Sequence, residues 1–394
     1  METIRERMER LQIGQEAIAL RRHLHMHPEL SEREYETMAL ICTWLERLGI
    51  PYEKNVADTG VVGLIRGGFD GPTVGIRADI DALPIQEENS ALSYCSQNPG
   101  VMHACGHDAH TAILLGIAML LSSMREELHG SVKLIFQPAE ESIGGAERMI
   151  QAGCLEDPHV DVMLGLHVAG NLPVGEIGIK YGKMYAASDM LTLKVYGTSC
   201  HGAHPDEGVD AILIAANILN TVQSVVSRNI SATDSAVCTF GTIHGGNVRN
   251  QVADYVELTG IIRTLDPETR MFMRERIKTV CEQTASMLGG RAELMIEPSY
   301  SPLINTDRIV DLVKETASGI LGADKVRELT VPSLGVEDFA YFAAARPACF
   351  FHLGCAVEDP RQCVAHSCYF DLDERCIPIG IELQAANVLR LLDA

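Results

Sequence analysis

No block of lysine or arginine offsets the acids of this chain: 32 Lys and Arg stand against 53 Asp and Glu, a formal charge of −21. That balance argues against a nucleic-acid partner or an anionic membrane surface, since both recruit clustered cations. An anionic substrate must then be drawn in by local positive charge, such as metal ions or a placed arginine. No stretch approaches about 18 uninterrupted apolar residues, so none is expected to span a bilayer. Residues 1–8 are studded with charge and lack the apolar centre of a signal peptide. The 12 cysteines contain no C-x-x-C pair, which in a long chain without a secretion signal points to reduced thiols and a cytoplasmic location. Five of them (Cys349, Cys355, Cys363, Cys368 and Cys376) crowd the C-terminal part, yet their spacing fits no zinc-knuckle template.

What is present is a globular composition, 46% hydrophobic and 22% charged, over 394 residues, more than one hydrophobic core usually covers. Two domains are expected. Periodicity predicts an amphipathic helix over 2–25 and a second over 34–48 that stops at Gly49, with Pro51 just beyond. Short β-rich runs at 61–66 and 73–80 flank a glycine-rich turn. A helix over 108–129, a strand at 132–136, a short helix at 145–151 and a strand at 160–166 follow. Strands alternating with helices indicate an α/β sheet, mostly parallel and buried on both faces. After Lys183 the order becomes strand 189–196, helix 209–227, strands 237–243 and 255–265, helix 268–288 and strand 292–296, a ferredoxin-like split pattern. The α/β texture returns from 306 and ends in a helix over 378–392. The expected organisation is a catalytic α/β domain in two segments, 1–183 and 301–394, with an α+β domain, 184–300, inserted between them.

The segment Met102-His103-Ala104-Cys105-Gly106-His107-Asp108-Ala109-His110 packs three histidines, a cysteine and an aspartate ahead of an apolar run. Imidazole, thiolate and carboxylate are the side chains that hold zinc, manganese or cobalt, and the start of a helix holds them rigidly. Three predicted strands end on the same chemistry: Asp79 and Asp81, Glu140 and Glu141, and His167. In open α/β sheets the ligand crevice lies outside the carboxyl ends of the strands, so these groups converge if the strands are parallel. Adjacent residues of an extended segment point in opposite directions, so one of Glu140 and Glu141 can bind metal while the other faces a water. A solvated acidic turn is the plainer alternative, and the position directly after an apolar strand and Pro138 weighs against it. His167 and His366 are weak signals alone. His103 and His110 stay open as ligands beside His107, with supporting or helix-surface roles the simpler reading.

Together these motifs resemble the metal-dependent amidohydrolase family of hippurate hydrolases, N-acyl-L-amino-acid amidohydrolases (aminoacylases), N-acetyldiaminopimelate deacetylases and plant auxin-amide hydrolases. The resemblance runs through Arg21-Arg22-His23-Leu24-His25-Met26-His27-Pro28-Glu29-Leu30, Arg77-Ala78-Asp79-Ile80-Asp81, Met102 to His107, Phe136 to Glu141 and Gly165-Leu166-His167. It continues with His201-Gly202-Ala203-His204-Pro205, Gly245 to Asn250, Gly260 to Thr264, Gly335 to Phe339 and His366-Ser367. It implies a zinc-exopeptidase-like catalytic domain and two divalent metal ions per subunit (Zn, Mn or Co). The implied ligands are Cys105, His107, Glu141, His167 and His366, with the Cys105 thiolate the candidate bridge. Glu140 is implied as general base, and Asp81 as the residue that orients a metal-binding side chain, with Asp79 its competitor. The inserted domain is implied to make a homodimer, to send His201 to a carbonyl oxygen in the partner's site, and to hold a substrate carboxylate through Asn250 and Arg263. Two departures stand out: Pro205 is followed by Asp206 where a histidine is usual, and His366-Ser367 by Cys368 where a proline is usual. The expected reaction is hydrolysis of an N-acyl-L-amino acid to a carboxylic acid and a free amino acid. The alternatives are a dipeptidase or carboxypeptidase on short peptides, and a non-catalytic metal-binding interaction protein.

Overall fold

Apolar, β-branched runs bounded by glycine form an eight-stranded sheet, here described from a computed structural model covering residues 2–393. Met1 and Ala394, the end points of the expected segments, lie outside the described residues. In spatial order the strands are Tyr52–Val56, Gly60–Arg66, His129–Gln137, Phe69–Asp79, Val162–Ala169, Ala348–Gly354, Ile177–Ile179 and Val326–Glu328. The four central neighbours run parallel, from His129–Gln137 to Ala348–Gly354. Antiparallel pairing is confined to the flanks, so the sheet is mixed and mostly parallel. Val74, Ile76, Leu134, Phe136, Leu164 and Leu166 are all buried, as expected where helices cover both faces.

The helix His107–Ser122 is buried along nearly its whole length between the helices Ile13–Met26 and Cys376–Leu392. Gly116 permits that approach, because a Cβ there would lie 2.3 Å from Ile381 Cδ1. The helix is shorter than the predicted 108–129: Ser122 and Ser123 turn their hydroxyls onto the Met119 and Leu120 carbonyls. Such bonds compete with the backbone ladder, and His129 already belongs to the next strand. The predicted helix over 2–25 is likewise two helices, Ile4–Arg10 and Ile13–Met26, broken where Gln12 adopts φ 54. The strand Tyr52–Val56 escaped prediction because its middle, Glu53-Lys54-Asn55, is exposed and polar like a loop.

Contacts divide the chain into two compact units. The larger comprises Met1–Gly182, Ile304–Thr330 and Tyr341–Ala394; the smaller comprises Lys183–Leu303 with Val331–Ala340. The smaller unit has an antiparallel sheet in the order Arg291–Pro298, Ala187–Tyr196, Tyr255–Thr264, Ala236–Gly245, a ferredoxin-like arrangement. Its helices Ala211–Arg228 and Pro267–Met287 start at Asp210 and Asp266, whose carboxylates accept the orphan N–H groups of the first turn. By length and composition Ala211–Arg228 is apolar enough to cross a membrane. Here it instead lays Ile214, Ile218, Val222 and Val225 into the core of the smaller unit.

Candidate metal centre

The chain reaches His107 through Gly106, whose φ of 95 ends the preceding loop and starts the helix. A side chain at Gly106 would be strained by that backbone and would also strike Val168 Cγ2 at 2.4 Å. This turn sets Cys105 Sγ 3.4 Å from His167 Nε2, at the end of the neighbouring strand. His167 Nδ1 lies 2.7 Å from the Val168 carbonyl, so donation there leaves the Nε2 lone pair facing the thiol.

Asp81 organises the other side. Its Oδ1 lies 3.1 Å from His107 Nδ1, and its Oδ2 accepts from Ser31 Oγ at 2.7 Å and from the Glu141 N–H at 3.0 Å. With Nδ1 engaged, His107 presents Nε2, which is buried without a hydrogen-bond partner among the described residues. Glu141 Oε1 is 3.9 Å from that nitrogen and 3.2 Å from His366 Nε2. His366 is itself tied down by its N–H, which donates to the Ala104 carbonyl at 2.7 Å.

The segment carrying the two glutamates is not extended, contrary to the sequence expectation. Ala139 adopts φ 57, the Gly144 N–H donates to the Ala139 carbonyl at 3.0 Å, and Gly145 packs so closely on the Pro138 carbonyl that a Cβ would lie 1.9 Å from it. The chain therefore turns back on itself, and carboxylate oxygens of Glu140 and Glu141 lie within 4.8 Å of each other and of a His107 nitrogen. Alternation along a strand does not separate their roles; the turn does.

Ligand-type atoms also lie within 4.8 Å of one another in the groups Cys105–His107–His167 and Cys105–Glu141–His366. Cys105 is common to both, which suits a thiolate shared between two ions. An orphaned buried imidazole nitrogen beside thiol, imidazole and carboxylate donors fits divalent metals of the zinc, manganese and cobalt type. The electrostatics agree. Burial pushes the Cys105 thiol well up, so a thiolate there requires added positive charge. Burial would also lower His107, but the Asp79 charge and the Asp81 hydrogen bond outweigh it and raise this imidazole well above its usual range.

His110 has no nitrogen left for an ion, since Nδ1 lies 2.5 Å from Asp79 Oδ1 and Nε2 accepts the Val168 N–H at 2.9 Å. His103 is buried, and burial pushes it down to about 4. Neither ring nitrogen of His103 has a hydrogen-bond partner among the described residues. Asp79 binds the Arg77 guanidinium at 2.6 Å as well as His110, whereas Asp81 holds His107. Ser31 and the buried Glu34, which binds the Ala139 N–H at 2.9 Å, support the site although no sequence pattern marks them.

The remaining candidates lie in the smaller unit. His201 and Asn250 are exposed neighbours, joined by the Gly202 N–H donating to the Asn250 carbonyl at 2.8 Å. Arg263 is half-buried on the strand Tyr255–Thr264, and its Nη1 is buried without a hydrogen-bond partner among the described residues.

Residues 75–390 match the peptidase family M20/M25/M40. The N-acetyl-L-cysteine deacetylase of Bacillus subtilis (strain 168) is 38% identical over 383 residues, covering 97% of this chain and 89% of that protein. The IAA-amino acid hydrolase ILR1-like 4 of Arabidopsis thaliana is 37% identical over 380 residues, covering 95% and 85%. The crystal structure of the YXEP protein of Bacillus subtilis, a dinuclear metal binding peptidase from the M20 family, superposes with a TM-score of 0.85 at 34% identity, covering 97% of this chain and 99% of that one. Fold, donor cluster and family match converge: the chain belongs to peptidase family M20/M25/M40 and is a metal-dependent amidohydrolase of that family.

Proposed function

We propose that the enzyme hydrolyses the amide bond of N-acyl-L-amino acids, releasing a carboxylic acid and a free amino acid. The observation that carries this reading is the placement of the Glu140 carboxylate beside the ligand-type donors of His107 and Glu141. Cys105, His107, Glu141, His167 and His366 are assigned as ligands of two divalent ions. Zinc, manganese or cobalt held by these residues would supply Lewis acidity towards the acyl carbonyl and would acidify a water. Glu140 takes the proton of that water as its oxygen attacks the acyl carbon, and returns a proton to the amine nitrogen as the C–N bond breaks. Asp81 fixes His107 by holding Nδ1.

Two named relatives support the substrate class, being a deacetylase of N-acetyl-L-cysteine and a hydrolase of IAA-amino acids. Arg263, half-buried with an unpartnered nitrogen, suits the free carboxylate of such substrates, and Asn250 is assigned to the same group. A homodimer formed through the smaller unit is part of the reading, with His201 of a second subunit donating to the carbonyl oxygen as negative charge develops. Exposed apolar side chains on that unit, Ile212 and Leu213 on a helix and Ile243 on the sheet's edge strand, support an interface there. Twelve free thiols suit a cytoplasmic setting.

The test reloads chelator-stripped protein with Zn, Mn or Co and assays N-acetyl- and N-benzoyl-amino acids beside dipeptides. Acylated amino acids should be turned over fastest, and a preference for dipeptides would establish the peptidase reading instead. Glu140→Gln should lower kcat by about 10²–10⁴-fold with metal content unchanged. A fully active Glu140→Gln enzyme would refute the base assignment.

A further inference from the structure

We propose that Glu34 is a positioning residue for the loop that carries the base and a metal ligand: its carboxylate holds Ala139 in the left-handed conformation from which Glu140 and Glu141 are presented. This inference rests on the roles proposed for those two glutamates.

Glu34 and Ala139 are both fully buried. Glu34 Oε1 accepts the Ala139 N–H at 2.9 Å, and Oε2 accepts the Thr59 hydroxyl at 2.6 Å. Ala139 has φ 57, a region that a residue with a Cβ enters only when its surroundings hold it there. Two residues later the Glu141 N–H is bound by Asp81 Oδ2 at 3.0 Å. The backbone is thus pinned by a buried carboxylate on each side of Glu140. On the far side the Ala139 carbonyl receives the Gly144 N–H, which closes the turn. Without an acceptor at position 34, a buried N–H is left unsatisfied at a residue whose Cβ disfavours its conformation. The turn would then relax towards an ordinary φ and swing both carboxylates.

A purely structural contribution of Glu34 predicts no special link to residue 139, whereas positioning through φ does. Glu34→Met keeps the volume and removes the acceptor. It should lower kcat by about ten- to hundredfold with little change in KM, and weaken retention of bound Mn or Zn against a chelator. Glu34→Gln keeps an oxygen for the N–H and should recover most of both properties. Adding Ala139→Gly to Glu34→Met should also recover them, because glycine takes positive φ without strain. An unchanged kcat and metal affinity in folded Glu34→Met, or no recovery on adding Ala139→Gly, overturns the proposal. Should Glu34→Met not fold, amide exchange in the parent protein decides: the Ala139 N–H must be among the slowest in residues 137–145, and fast exchange sinks the idea. Failure of this rescue alongside an inactive Glu140→Gln removes only the positioning role. A successful rescue alongside an active Glu140→Gln removes only the base assignment.

Discussion

Arg21 Nη2 donates to Asp371 Oδ1 at 2.9 Å, while Nε of the same guanidinium donates to Asp108 Oδ2 at 2.9 Å. Arg21 is completely buried, and Asp108 and Asp371 follow the metal-ligand candidates His107 and His366 in sequence. One side chain from the helix Ile13–Met26 therefore joins the start of the His107 helix to the segment that brings in His366. His25 Nδ1, 2.7 Å from Asp108, and the Tyr94 hydroxyl, which donates to Asp371 at 3.0 Å, complete the junction.

Arg21→Met should therefore destabilise the fold by about 3–5 kcal/mol, since it leaves Asp108 buried with its main counter-charge gone. Denaturant unfolding reads this directly. Arg21→Lys should fall between, because an ammonium cannot serve both carboxylates in a fork. A Met variant as stable as the parent would show that the cluster contributes nothing net.

Asp81 and Asp79 should separate cleanly by metal affinity. Asp81→Ala removes the carboxylate from His107 Nδ1, leaving it only the backbone carbonyl of residue 81 at 3.0 Å, and frees the Glu141 N–H; a lost orienting partner typically weakens metal binding about 10–100-fold. Asp79→Ala instead strips Arg77 and His110, both buried, so its main cost should appear as lost stability. Titration calorimetry and thermal unfolding on both variants distinguish the roles; stronger metal loss in the Asp79 variant would reverse them.

The fold and the ligand types were legible because they leave periodic or compositional marks. Short, largely apolar runs such as Val132 to Phe136, set between turn signals, read as buried strands, and three of them end on acids or a histidine. The roles around those ligands were not legible. Which acid hydrogen-bonds His107 Nδ1 depends on which stands beyond the last sheet pairing, and Asp79 still pairs with Gln137. Alternation does not describe the segment of Glu140 and Glu141, because Ala139 takes a positive φ with its N–H held by Glu34, 105 positions away in sequence. Such long-range constraint leaves no local pattern.

Metal content across four single variants checks the donor set. Cys105→Ala and His107→Ala should each lose bound metal, because the two residues belong to the groups with His167 and Glu141. His110→Ala should keep metal but lose stability, both of its nitrogens being occupied by Asp79 and Val168. His103→Ala should keep metal as well. Elemental analysis after dialysis reads all four, and a metal-free His110 or His103 variant with a loaded His107 variant would overturn the assignment.

Arg263 offers the sharpest test of substrate class. Burial pulls its guanidinium down from the ordinary range, and its buried Nη1 has no hydrogen-bond partner among the described residues, so an incoming carboxylate would meet a desolvated cation. Hydrogen bonds to a charged partner are worth about 1.5–3 kcal/mol, so Arg263→Ala should raise KM for acylated amino acids by roughly ten- to hundredfold. The corresponding amides, which carry no carboxylate, should be affected far less. Arg263→Lys keeps the charge without the fork and should restore only part of the loss. A strand arginine with a purely structural role would, when removed, disturb the smaller unit and reduce turnover of acids and amides alike. Equal losses on both substrate types would therefore remove the carboxylate role.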